Sequence, residues 1–152
     1  MRVTKEQAIE KTKQAYKTIK NEEKPTAPVT IHYDEQGNPY GIRICTLDED
    51  FILALHDEFN GKEVTFAKTK NLSLPNEKMF RLIGAYRKEV KQLLIEAGGD
   101  PLIGWYWSST PAEELFGASN VNDQLIYSGT YGFLGSYNRI STNQVRVALA
   151  LK

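Results

Sequence analysis

The sequence predicts an α+β fold in which two helices accompany antiparallel sheets and long late loops. Three observations carry this. Two segments repeat apolar residues at helical spacing, short runs between them alternate as strands do, and the last third turns to Gly, Ser, Asn and Tyr before one apolar closing run. At 152 residues, the chain is long enough for one domain with a core.

The first helix is predicted to start at a capping box, Thr4 with Gln7, and to gather Ala8, Ile9, Thr12, Ala15, Tyr16 and Ile19 on one face. Pro25 and Pro28 bar its continuation. A hairpin follows. Val29–Tyr33 alternates, Asp34–Pro39 carries turn residues, and Tyr40–Cys45 returns. Phe51–Leu55 is a third strand, and His56–Gly61 a turn. Val64–Asn71 suits either a strand or a short helix.

Leu74-Pro75-Asn76-Glu77 opens a second helix, with the Glu77 carboxylate in the first turn, where the helix dipole favours it. It is predicted to run to about Ala97 and to bury Met79, Leu82, Ile83, Tyr86, Val90, Leu93 and Leu94, with Gly98-Gly99 as its stop. Tyr106 and Trp107 enter a strand with one ring toward the core, and Ser108-Ser109-Thr110 bond to local backbone. Val145–Leu151 is predicted as a buried closing strand. Residues 1–64, with the first helix and the hairpin, are expected to belong to the same domain as a core spanning 65–152.

Composition excludes several function classes. Lys plus Arg and Asp plus Glu both number 19, a balance that disfavours nucleic acid as partner. No apolar run is long enough to span a bilayer, and no apolar leader follows Met1, so no membrane partner and a cytoplasmic location are expected. An extracellular or virion location is the alternative where a leader has been removed. The single cysteine, Cys45, sits in an apolar run and reads as a buried thiol. His32 and His56 lie in separate segments without metal-helix spacing, and acidic runs such as Asp48-Glu49-Asp50 lack EF-hand spacing. Ser108 and Ser109 lack a nucleophile elbow. Neither enzyme activity nor a metal or cofactor is expected.

Four motifs occur in order: Leu74-Pro75-Asn76-Glu77, the helix end Ala97-Gly98-Gly99-Asp100, Tyr106-Trp107-Ser108-Ser109-Thr110, and the terminal Val145-Arg146-Val147-Ala148. The series resembles bacterial C-type-lectin-like domains, many of them labelled domains of unknown function, within the superfamily of sulfatase-modifying factors. The resemblance covers roughly residues 65–151 and implies a C-type-lectin-like fold for that part. It departs from the family at Pro111–Phe116, where a Ser/Asn-rich stretch is usual, and at Ala148-Leu149, where a second Arg is common.

Such folds bind ligands on late loops, here residues 118–143, and some relatives diversify this region in phage and retroelement systems. The resemblance therefore implies a ligand face drawn from Trp105, Asn120, Asn122, Asp123, Tyr127, Tyr131, Tyr137, Asn138, Ser141 and Asn143. Tyr, Asn and Ser are also the residues of antibody-like binding surfaces. As core and turn residues the same side chains would mean nothing for binding. Calcium-dependent sugar binding needs a Glu-Pro-Asn or Gln-Pro-Asp loop, which is missing, and formylglycine chemistry needs two cysteines and copper. The expectation is a non-catalytic module recognising a protein or glycan. A structural or assembly subunit, such as a homo-oligomer, is the alternative.

Overall fold

In a computed structural model of the chain, residues 27–117 and 121–151 are described. The first predicted helix lies outside them, as does Asn120. The described residues form an α+β structure whose strand pairs are antiparallel apart from one isolated parallel bridge, Tyr106 to Gln144.

Strands β1 (Val29–Tyr33), β2 (Pro39–Cys45) and β3 (Asp50–Ala54) form the predicted hairpin and its neighbour. The turn closes because the Asp34 carboxylate accepts the amides of Gln36 and Asn38, each at 2.9 Å. Further along, Arg43 makes a two-pronged bond to Asp50, Nε to Oδ1 at 2.9 Å and Nη2 to Oδ2 at 2.7 Å, with both side chains buried. Burial, and next the Arg43 charge, hold the His32 imidazole below its ordinary pKa, while Asp50 opposes them. The C-terminal strand β9 (Ala148–Ala150) joins the other edge of β3, giving the order β1-β2-β3-β9. The hairpin and the end of the chain thus share one sheet.

The predicted long helix is two helices, α1 (Glu77–Ala85) and α2 (Arg87–Ala97), which meet at Tyr86 with φ −103° and ψ 29°. The break follows Gly84, the weakest helix former of the segment, which passes under the Gly132 carbonyl so closely that a Cβ there would lie 2.9 Å from it. Asn76 caps α1 by accepting the Met79 amide at 2.9 Å, and Gly98 ends α2 at φ 75°, a left-handed conformation suited to glycine. The buried stripe contains Phe80 in addition to the predicted Met79, Ile83, Val90 and Leu94, while Leu82, Tyr86 and Leu93 are half-buried at its border. This stripe packs with Ile42, Ile44, Phe51 and Leu53 of the first sheet into the main core.

The ambiguous stretch after Gly61 resolves into both alternatives. Val64–Thr65 is a short strand β4, followed by one 3-10 turn, Phe66–Thr69. Strand β5 (Trp105–Pro111) pairs with β6 (Asp123–Ser128), which pairs with β7 (Leu134–Asn138). A short helix α3 (Glu113–Phe116) links β5 to β6, and β8 (Thr142–Asn143) pairs with β4.

Two expectations are corrected here. Both rings of Tyr106 and Trp107 are fully buried, because each face of β5 is covered: Tyr106 faces the main core and Trp107 a second cluster with Leu74, Ile126 and Val145. The closing segment is a strand only over its last part. Before β9, the carbonyls of Val145 and Val147 accept amides from Glu58 and Ala54, so the chain bonds to a loop and a strand end rather than to a ladder. Leu149 and Leu151 are exposed, contrary to a wholly buried strand.

Candidate functional site

Alternation along the three-stranded sheet sorts the late residues between two faces. Trp105, Trp107, Ile126 and Tyr137 fall on one side, whereas Tyr106, Leu125 and Tyr127 fall on the other, where Tyr106 and Tyr127 pack in the main core with the helices. Tyr127 is thus a core residue and no part of a loop surface. Its ring stacks on Phe80 with centroids 4.7 Å apart, and burial pushes its phenol up to about 12, with Arg87 opposing.

On the first side lies an open groove of about 690 Å³ between β7 and the β4–β8 pair. Trp105, Tyr137, Ser141 and Asn143, four of the ten predicted residues, line it. Glu63 and Thr142 add a carboxylate and a hydroxyl, while Ser136, paired with Leu125, borders the groove with its backbone. The Trp105 ring lies across Gly135, where a Cβ would come within 3.3 Å of it, so glycine at this position lets the indole settle onto β7. Trp105 then meets Phe133 edge-on at 5.6 Å, and Phe133 stacks on Tyr131 at 6.0 Å. Tyr131 is 69% exposed, Phe133 53% and Tyr137 48%. An aromatic strip therefore runs from the groove wall out onto the surface.

Asn143 is buried, and its side-chain nitrogen has no hydrogen-bond partner among the described residues. Such a donor calls for an acceptor from outside, as a water or a ligand oxygen would supply. Its backbone is fixed by pairing with Val64, whose carbonyl also accepts the Trp107 indole N–H at 2.8 Å. Gln144 next to it exchanges backbone bonds with β5, donating to the Trp105 carbonyl and accepting from the Trp107 amide. The groove walls are held from both sides.

The remaining predicted residues lie elsewhere. Asn122, Asp123 and Asn138 meet at the far end of β6 and β7. The Asn138 side chain is engaged in its own turn, accepting the Ile140 amide at 3.0 Å. Phe133 escaped the sequence reading because a Tyr-based palette does not select a lone Phe. Glu63 escaped because it precedes the late loops by many residues and is joined to them only through the β4–β8 pair.

A buried ionic knot ties the closing segment to the rest of the fold. Arg146, fully buried, donates from Nε to the Asp57 carboxylate at 2.8 Å, from Nη1 to the Ala54 carbonyl and from Nη2 to the Asp100 carbonyl. The Tyr106 hydroxyl donates to the other oxygen of Asp57 at 3.2 Å. Asp100 accepts the Asp57 amide, which holds its carboxyl below the usual range, and His56 lies 3.3 Å away. Every arm of the guanidinium is engaged and out of solvent, so it ties the closing segment to Ala54, Asp57 and Asp100.

Among the described residues, no three His, Cys, Asp or Glu side chains gather as a metal centre requires. No helix of the described residues is long and apolar enough to cross a membrane. Comparison of the chain with protein-family models and with curated proteins found no match.

Proposed function

We propose that the chain is a non-catalytic recognition module of C-type-lectin-like fold that binds a protein or glycan on the aromatic strip and its groove. The observation that carries this is the coupling of an exposed strip, Tyr131-Phe133-Trp105, to a groove wall bearing hydroxyls, a carboxylate and the unpaired Asn143 amide. Flat aromatic area stacks on a sugar ring or an apolar side chain, and the polar wall fixes its orientation.

The four motifs support the fold reading through the work their residues do. Asn76 caps α1, Gly98 ends α2, Trp107 anchors β4 to β5, and Arg146 locks the closing segment. Ser108 and Thr110 also belong to that pattern. The Ser108 hydroxyl donates to the Leu125 carbonyl across a bulge, and Thr110 accepts the Glu77 amide at the start of α1. The sharing of one sheet by the first described strand and the last is the arrangement such a fold has.

The test is binding of the protein to broad glycan and protein arrays, with Tyr131→Ala/Tyr137→Ala printed alongside. A ligand held by the wild type and lost at least tenfold by the double variant, about 1.4 kcal/mol or more, is the expected result. Equal binding by both would remove the aromatic strip from the account.

A further inference from the structure

A second cavity lies on the opposite side of the sheet. It occupies about 480 Å³ between the two helices, the 101–103 loop and the turn at Gly129-Thr130. That volume falls within the ordinary range for small-ligand pockets, roughly 300–1,000 Å³. Ile83, Val90, Leu94 and Leu102 give it an apolar wall.

Its rim has one sign of charge. Arg87, Lys88 and Lys91 line it, at positions one helical turn apart or less on α2, and all three are exposed. No Asp or Glu lines it, and among the described residues these three cations have no ion-pair partner. The Arg87 guanidinium is steered toward the opening by its bond to the Thr130 carbonyl at 3.2 Å. Tyr127 closes the inner wall with a buried hydroxyl that has no hydrogen-bond partner among the described residues. A phenol that stays protonated is a donor, so it too lacks an acceptor.

We propose that this cavity binds a small amphiphilic anion: an aliphatic body against the apolar wall and one carboxylate at the Arg87-Lys88-Lys91 rim. Charge complementarity selects the head group, because a cation of the same shape would meet three like charges. The apolar wall selects the body, because an inorganic anion would leave it wet. This site is separate from the aromatic strip, and the proposal stands whether or not the strip binds a ligand.

The probe is sodium decanoate, kept below its micellar concentration, in calorimetric titration, with decyltrimethylammonium bromide as the cation of equal chain length. Decanoate is expected to bind saturably and the cation at least about tenfold more weakly, a difference of 1.4 kcal/mol. Ile103 lines the cavity and is 58% exposed, so its substitution leaves the core intact. Ile103→Glu is expected to weaken decanoate about tenfold or more, while Ile103→Lys retains binding; Lys88→Gln/Lys91→Gln weakens it in the same sense. Circular dichroism melts confirm that each variant is folded. Absence of decanoate binding, equal binding of the cation, or identical affinity in Ile103→Glu and Ile103→Lys would each overturn the proposal.

Discussion

Replacement of Arg146 by Ala is expected to lower the stability of the fold by about 3–5 kcal/mol. The variant leaves the Asp57 carboxylate buried and unmatched, since the side chains of this pair are 0% and 7% exposed. It also orphans the carbonyls of Ala54 and Asp100. Domains of this size have roughly 5–15 kcal/mol in total, so a thermal melt by circular dichroism should show a midpoint lower by about 10 °C or more. Arg146→Lys is not a rescue, because one ammonium cannot span three acceptors fixed for a planar fork. Pairing Arg146→Leu with Asp57→Asn should recover only part of the loss. It removes the stranded charge but leaves the two carbonyls without donors. A full recovery by this pair would show that the ion pair, and not the whole knot, carries the stabilisation.

Trp107→Ala is expected to cost about 3–5 kcal/mol by emptying the second core cluster, with a consequence that reaches the groove. The indole N–H holds the Val64 carbonyl, and β4 has only two residues with which to keep its pairing to β8. Without that anchor the Glu63 and Asn143 walls lose their fixed spacing. Trp107→Phe separates the two effects. It keeps most of the apolar volume, and Phe66 keeps an aromatic neighbour across the present edge-on contact at 5.5 Å. It loses the hydrogen bond, worth about 1 kcal/mol. In hydrogen exchange, Trp107→Phe should speed exchange at β4 and β8 while the first sheet stays protected. Uniform loss of protection in both sheets would contradict a local anchoring role.

How much was legible in the sequence follows from what local pattern encodes. The hairpin, the third strand and the Asn76 and Gly98 helix ends were legible because turn chemistry and caps act over a few residues. The break at Tyr86 was not, since its setting is the passage of Gly84 under the Gly132 turn, a contact distant in sequence. The closing segment looked like a strand because Val145, Val147, Leu149 and Leu151 recur at every second position, yet Arg146 diverts it into a knot whose partners are Ala54, Asp57 and Asp100, distant in the chain. At the candidate site, composition singled out the late tyrosines as a group. Only the register of β5, β6 and β7 decides that Tyr137 faces the groove and Tyr127 the core. Glu63 carried no local signal at all. The second cavity carried no local signal, since the 101–103 loop and the turn at Gly129-Thr130 that close it against the helices are brought there by tertiary structure.

On the proposed function, the exposed aromatic strip serves recognition and neither folding nor self-assembly. Light scattering coupled to size exclusion, together with a thermal melt, on the wild type and on Tyr131→Ala/Tyr137→Ala tests it most directly. The two tyrosines are 69% and 48% exposed, so both proteins are expected to have the same molar mass and melting midpoints within a few degrees of each other. A fall in molar mass on substitution would make the strip an assembly interface, and a collapse of the melting midpoint would make it part of the core. Either result would contradict a recognition face.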